Sequence, residues 1–122
     1  MSSDLYLDLV VEGAVVHRFA LELGQQTLGR DRGCAIRVLD TSISGIHCLI
    51  ELKPSPRVPG HIDVTVADME STNGTSVNGV RIQKARLMIG DQLRCGDVSL
   101  VLNGADGLAT TQTAISLGPD GV

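Results

Sequence analysis

Ser76-Val77-Asn78-Gly79-Val80-Arg81-Ile82 places an Asn-Gly pair between two short β-type stretches. A type I′ turn needs positive φ at both central positions, and Asn-Gly accepts that conformation readily. The stretch therefore predicts a β-hairpin, and the chain on both sides continues in the same idiom. Upstream, Ile62-Asp63-Val64-Thr65-Val66-Ala67-Asp68 alternates apolar and polar residues, the period of a half-buried strand. Downstream, Leu87 to Ile89, Gln92 to Cys95 and Val98 to Leu102 are short strands separated by Gly90-Asp91 and Gly96-Asp97. Farther upstream, His47 to Leu52 is a continuous apolar run, as expected of a central strand. It is followed by a loop from Lys53 to His61 that holds Pro54, Pro56, Pro59 and Gly60. Ala35 to Val38 and Gln26 to Gly29 are short strands. Leu5 to Val11 and Val15 to Leu21 form a first hairpin turned by Gly13 and Ala14, with Tyr6 and Phe19 expected to face each other in the core.

No stretch has sustained helical periodicity with caps. Short strands between regular turn signals predict an all-β fold, a two-sheet antiparallel β-sandwich. The pattern stops at Asn103, and small polar residues follow. The expected organisation is one sandwich domain over residues 1–103 and a flexible C-terminal tail over 104–122.

Charge and composition narrow the function. Ten basic and fourteen acidic residues give a net charge of -4, a poor basis for nucleic-acid binding, which rests on Lys and Arg. Tyr6 and Phe19 are the only aromatics in 122 residues, so platforms for base stacking are lacking. No apolar run approaches the ~20 residues of a membrane span. The N-terminus, Met1-Ser2-Ser3-Asp4, does not resemble a signal peptide. Cys34, Cys48 and Cys95 are odd in number and form no Cys-x-x-Cys pair. They read as reduced packing residues of a cytoplasmic protein, with no metal site and no cofactor expected. Met69 and Met88 also read as packing residues, and His17 and His61 as surface residues.

Three short motifs fall in loops between strands: Gly29-Arg30; Ser44-Gly45-Ile46-His47; and Ser71-Thr72-Asn73-Gly74-Thr75 ahead of Asn78-Gly79. Each is weak alone. Together they supply the parts of a phosphate site. Arg30 offers a planar guanidinium fork suited to an oxyanion. Ser44 and Thr72 offer short hydroxyl donors, and Asn73 an amide that both donates and accepts. The glycines let backbone N–H groups come close to a ligand. A rigid sandwich holding such loops is a common way to build a binding site.

In order and spacing these motifs resemble the forkhead-associated (FHA) domain, a phosphothreonine-peptide reader. The resemblance covers roughly residues 5–102 and also takes in Asp68, Gly90-Asp91 and Gly96. It implies a β-sandwich of about eleven strands, related to the SMAD fold, and a non-catalytic signalling or adaptor module. Position by position it implies that Arg30 pairs with the phosphate and that Ser44 and Thr72 donate hydrogen bonds to it. Asn73 would hold the peptide main chain and orient the neighbouring loop. His47 would brace the loop carrying Ser44, and Gly29, Gly45 and Gly74 would serve loop geometry. The implied partner is a phosphothreonine-containing protein or peptide, the substrate of a Ser/Thr kinase. The chain departs from the family at two positions: Gly45 stands where many members have Arg, Lys or Asn, and Ser42 where a selectivity residue is often found. Arg32 and Arg37 are candidates to compensate, although each also reads as an ordinary surface charge.

Other readings compete. Ser44 and His47, with Asp40 nearby, suggest a nucleophile and base, but no nucleophile elbow accompanies them, so catalysis is not expected. The stronger rival is an FHA-fold structural or oligomerisation domain that binds no phosphopeptide. A third reading makes the chain's own tail a partner. Thr110, Thr111 and Thr113 would be phosphorylated and then occupy the site; a plain flexible tail is the simpler alternative.

Overall fold

The computed structural model describes residues 2–104, and the whole described chain is strand and loop. The strands are β1 (Ser2–Val11), β2 (Ala14–Glu22), β3 (Gly24–Gly29), β4 (Ile36–Arg37), β5 (Cys48–Pro54), β6 (Ile62–Asp68), β7 (Thr75–Val77), β8 (Val80–Arg81), β9 (Lys84–Leu87), β10 (Gln92–Cys95) and β11 (Val98–Gly104). One sheet has the order β2-β1-β11-β10-β7-β8 and the other β4-β3-β5-β6-β9. Ladders are antiparallel except β3 with β4, which pair in parallel through Leu28 with Ile36 and Gly29 with Arg37. Among the described residues there is no helix, and so none long and apolar enough to cross a membrane.

Alternation builds the core. Cys48, Ile50 and Leu52 of β5 and Val64 and Val66 of β6 point inward from one sheet, and Leu7, Leu93, Cys95, Leu100 and Leu102 from the other. Each fully buried aliphatic side chain stabilises the fold by about 1.5–3 kcal/mol. The chain crosses between sheets at Leu23. There the Gln26 side chain accepts from the Glu22 N–H at 2.7 Å and donates to the Glu22 carbonyl at 2.8 Å. This clamp satisfies the backbone polar groups that the crossing removes from a ladder.

Several expectations need correction. Tyr6 and Phe19 do not face each other: Phe19 pairs with Leu7 on the inner face, and Tyr6 pairs with Ala20 on the outer face. Neither is fully buried. The Arg18 guanidinium lies 3.9 Å from the centre of the Tyr6 ring while bonding to Asp8 at 2.8 Å. Leu87 to Ile89 is not a strand. The ladder with β6 runs over Lys84–Leu87, and Met88 and Ile89 lie exposed in the turn that follows. Met69 is also exposed and packs nothing into the core, whereas all three cysteines are free and buried. β5 runs on through Pro54, opposite Ile62. Its pairing with β3 has already ended at Leu52, so the missing proline N–H leaves no gap on that side. β11 continues past Leu102 to Gly104, which pairs with Leu5. The threonine tail lies outside the described residues.

The hairpin at Asn78-Gly79 has φ of 50° and 85°, as its sequence requires. The loops carrying the three sequence motifs gather at one end of the sandwich. The β10–β11 turn at Gly96 meets Ser42 there. Leu5 and Gly104 lie at the other end, a full strand away.

Candidate functional site

The site starts where β3 ends. Gly29 is buried, and a Cβ built on it would lie 2.1 Å from the Gly45 carbonyl oxygen and 2.9 Å from Cys34 Sγ. Only glycine permits this approach. It lets the chain leaving β3 zip onto the loop before β5. Arg30 N–H donates to the Ser44 carbonyl at 3.0 Å, and Asp31 N–H to the Gly45 carbonyl at 3.0 Å. On the other side, Val38 N–H donates to the Gly29 carbonyl at 2.9 Å. Arg30 and Ser44 are fourteen positions apart in sequence but neighbours in space.

His47 ties this pair to the next loop. It is 0% exposed. Its backbone N–H donates to the Leu28 carbonyl at 2.8 Å, and its carbonyl accepts from Met69 N–H at 3.0 Å. Its Nδ1 accepts from Ser44 N–H at 3.1 Å, and its Nε2 donates to the Gly74 carbonyl at 2.9 Å. A backbone N–H can only donate and a carbonyl only accept, so the tautomer is fixed with the proton on Nε2. Both ring nitrogens are committed to backbone, and neither is bonded to the Ser44 hydroxyl.

Loop β6–β7 presents Thr72 and Asn73. Thr72 N–H donates to Ser44 Oγ at 2.9 Å, and Asn73 Nδ2 to the Ser42 carbonyl at 2.9 Å. The base of the loop is Asp68. Its carboxylate accepts from Ser71 N–H at 3.2 Å, from the Ser71 hydroxyl, and from Thr75 Oγ1 at 2.7 Å. Burial pushes the Asp68 pKa up, but the hydrogen bonds from Ser71 and Thr75 together outweigh it, so the carboxyl titrates below its usual range. Ser71 Oγ in turn accepts from Gly74 N–H at 3.0 Å, and Gly74 holds a φ of 87°.

The turn between β10 and β11 closes the assembly. Gly96 N–H donates to the Gly74 carbonyl at 3.2 Å, and Asp97 N–H to Ser42 Oγ at 2.9 Å. A side chain at Gly96 would collide with the Ser42 carbonyl. Ser42, noted in the sequence only as a departure from the family pattern, is thus the residue on which loop β6–β7 and turn β10–β11 both converge. Its signal in the sequence was position alone, two residues before Ser44.

Three polar groups remain available. The exposed Arg30 guanidinium and the exposed Thr72 hydroxyl have no hydrogen-bond partner among the described residues. The Ser44 hydroxyl uses a lone pair on Thr72 and retains its proton as a donor. The backbone N–H groups of Arg30 and Thr72 both bond to Ser44, the first at its carbonyl and the second at its hydroxyl, so both residues adjoin it. Asn73 is half spent, one amide hydrogen holding Ser42. Gly45 offers no side chain toward the site. Arg37, a candidate to compensate, donates from Nε to the Arg30 carbonyl at 3.1 Å and so braces the backbone behind Arg30. Among the described residues no group of three or more His, Cys, Asp or Glu side chains suits a metal ion.

Comparison with known proteins bears on the same loops. The FHA domain family model matches residues 26–96, more than half of the chain. The FHA domain-containing protein FhaA of Mycobacterium tuberculosis is 32% identical over 84 residues, which are 69% of this chain and 15% of FhaA. This chain therefore spans only a small part of that relative's length. Among solved structures, the FhaA FHA domain complexed with the intracellular domain of Rv3910 has a TM-score of 0.67 and 29% identity. The match covers 81% of this chain and 99% of that one. An FHA domain from structural and functional work on phosphothreonine-dependent FHA domain interactions gives a TM-score of 0.68 and 29% identity, over 81% of this chain and 94% of that one. The family match runs from Gln26 in β3 to Gly96, so it takes in Arg30, Ser44, Thr72 and Asn73 and the loops that carry them, and the chain belongs to the FHA domain family.

Proposed function

We propose that this domain is a non-catalytic adaptor that binds a phosphothreonine-containing protein or peptide. One observation carries the reading: a guanidinium and two hydroxyl donors, on Arg30, Ser44 and Thr72, are left uncommitted on loops that are otherwise hydrogen-bonded to one another. Such donors cost little reorganisation when an anion arrives, because the surrounding backbone is already held. Arg30 pairs with the phosphate. Ser44 and Thr72 donate to its remaining oxygens. The free hydrogen and the carbonyl of the Asn73 amide hold the peptide backbone, while its other hydrogen keeps loop β4–β5 in place. His47, Gly29, Gly45 and Gly74 shape the loops and do not touch the ligand.

The relatives support the same class of partner. FhaA's FHA domain is solved with the intracellular domain of Rv3910, and the second domain comes from work on phosphothreonine-dependent interactions. The non-catalytic reading rests on His47. With Nδ1 on Ser44 N–H and Nε2 on Gly74, it has no lone pair to take the Ser44 hydroxyl proton. Three unpaired cysteines fit a reducing, cytoplasmic setting.

Hydrogen bonds to charged groups contribute about 1.5–3 kcal/mol each. Three give roughly 5–9 kcal/mol before ordering costs, which places the complex at about micromolar affinity or weaker. The test is calorimetric titration with a diverse phosphothreonine peptide set against the wild type and Arg30→Ala. The wild type binds phosphorylated peptides and not their unphosphorylated forms. Arg30→Ala loses binding with an unchanged melting temperature, since its guanidinium bonds to nothing in the described fold. Failure of the wild type to capture any phosphothreonine peptide would overturn the reading in favour of a structural or oligomerisation domain.

A further inference from the structure

Asp31 stands immediately after Arg30, and its carboxylate occupies the space that a side chain at position 45 would need. A Cβ built on Gly45 would lie 2.8 Å from Asp31 Oδ1 and 3.0 Å from Oδ2. The Asp31 backbone is fixed at both ends. Its N–H donates to the Gly45 carbonyl at 3.0 Å, and its own carbonyl accepts from Cys34 N–H at 3.1 Å. The carboxylate itself is exposed. Among the described residues it accepts no hydrogen bond and forms no ion pair, although Arg30 and Arg32 flank it in sequence. A negative charge carried on a held backbone therefore lies against Gly45, the residue that follows Ser44, and follows Arg30 directly in the sequence.

That placement has a consequence for any anion bound there. A phosphate seated on Arg30 and Ser44 feels Asp31 as a like charge, and so does any acidic side chain that the ligand carries nearby. A cation on the ligand reverses the sign, because it gains the carboxylate without competing for Arg30. Like-charge juxtaposition is a standard means of rejecting wrong partners. Glycine at position 45 is what keeps the carboxylate in reach. A longer residue there would displace it or, if basic, neutralise it.

On the basis of the phosphothreonine reading above, we infer that Asp31 selects phosphothreonine peptides bearing a lysine or arginine next to the phosphorylated residue and disfavours those with an acidic neighbour. The test uses three peptides of one length and one phosphothreonine, differing only in whether the flanking residue is arginine, alanine or glutamate. Each is titrated into wild type, Asp31→Asn and Asp4→Asn. Asp4 is an exposed acid at the far end of the sandwich, so Asp4→Asn controls for net charge alone. Wild type and Asp4→Asn should bind the arginine peptide about tenfold more tightly than the glutamate peptide. Asp31→Asn should weaken the arginine peptide and strengthen the glutamate peptide, so that the ratio falls toward one. Equal binding of the arginine and glutamate peptides by wild type overturns the inference while leaving phosphothreonine recognition intact. A ratio unchanged in Asp31→Asn, or lowered equally in Asp4→Asn, does the same. Binding of none of the three peptides overturns both.

Discussion

His47 Nε2 donates to the Gly74 carbonyl oxygen at 2.9 Å across 27 residues of sequence, with the ring fully buried. The same ring holds Ser44 N–H through Nδ1. One imidazole thus bridges the two hydroxyl-bearing loops, beside the bonds of Thr72 to Ser44 and of Asn73 to Ser42. Replacing it with alanine leaves the half-buried Ser44 N–H and part of the buried Gly74 carbonyl unsatisfied and opens a cavity. His47→Ala should cost about 3 kcal/mol or more in urea denaturation, combining the cavity and the orphaned groups. Phosphopeptide affinity should fall with it. A loss under about 1 kcal/mol would show that other contacts hold the loops.

Gly29 and Gly33 make a matched pair for testing close approach. A methyl group at Gly29 runs into the Gly45 carbonyl, whereas one at Gly33 meets nothing within 4 Å. Gly29→Ala should destabilise by about 1–3 kcal/mol. It should also weaken ligand binding by moving Arg30 off Ser44. Gly33→Ala should leave stability and binding near wild type. Thermal melts of the two variants, side by side, decide it, and equal effects would contradict the geometry.

Asp68 gives a pH dependence with a definite sign. Its folded pKa is lowered below the ordinary value of 3.8, burial being outweighed by the Ser71 and Thr75 hydrogen bonds. A depressed carboxyl contributes stability that is fully present above its unfolded pKa and is lost as pH falls through the folded one. The stability gap between wild type and Asp68→Asn should therefore hold from pH 7 to about 5 and close below about 4. Denaturation series across that range measure it. A gap that stays constant down to pH 2.5 would remove Asp68 from the account of how loop β6–β7 is held.

Cys48 and Cys95 approach to 3.9 Å between their sulfur atoms, one from each sheet. The hydrogen bond with Cys95 and then burial push the Cys48 thiol well above its normal range. Since the thiolate is the reactive form, a thiol reagent should label neither residue in the folded protein and all three cysteines in denaturant. Rapid labelling of Cys48 without denaturant would show that the two sheets part more readily than this packing suggests.

The sandwich was largely legible because its signals are local. Alternation at Ile62–Asp68 and the turn residues flanking Gln92–Cys95 gave those strands their observed bounds, and Asn78-Gly79 took the backbone its composition demands. The errors arose where apolar character was read as burial. Met88 and Ile89 are apolar, but the turn they occupy is pinned by Met88 N–H donating to Asp91 at 2.8 Å and leaves them in solvent. Tyr6 and Phe19 look like cross-strand partners in the sequence, yet the observed register pairs them one position apart and so places them on opposite faces. In the site, the residue types were readable and the wiring was not. The contacts of His47 with Gly74, Asn73 with Ser42 and Gly45 with Asp31 join positions whose proximity depends on three separate loops folding together.

Leu5 and Gly104 pair at the end of the sandwich away from Arg30, Ser44 and Thr72, and β11 alone keeps the two ends about 20 Å apart. Whatever polypeptide is attached before β1 or after β11 is thus launched from the end opposite the proposed phosphate site. A neighbouring domain can be exchanged, lengthened or tethered there without crowding the loops that carry Arg30, Ser44 and Thr72, and a linker must double back around the sandwich before it can reach them.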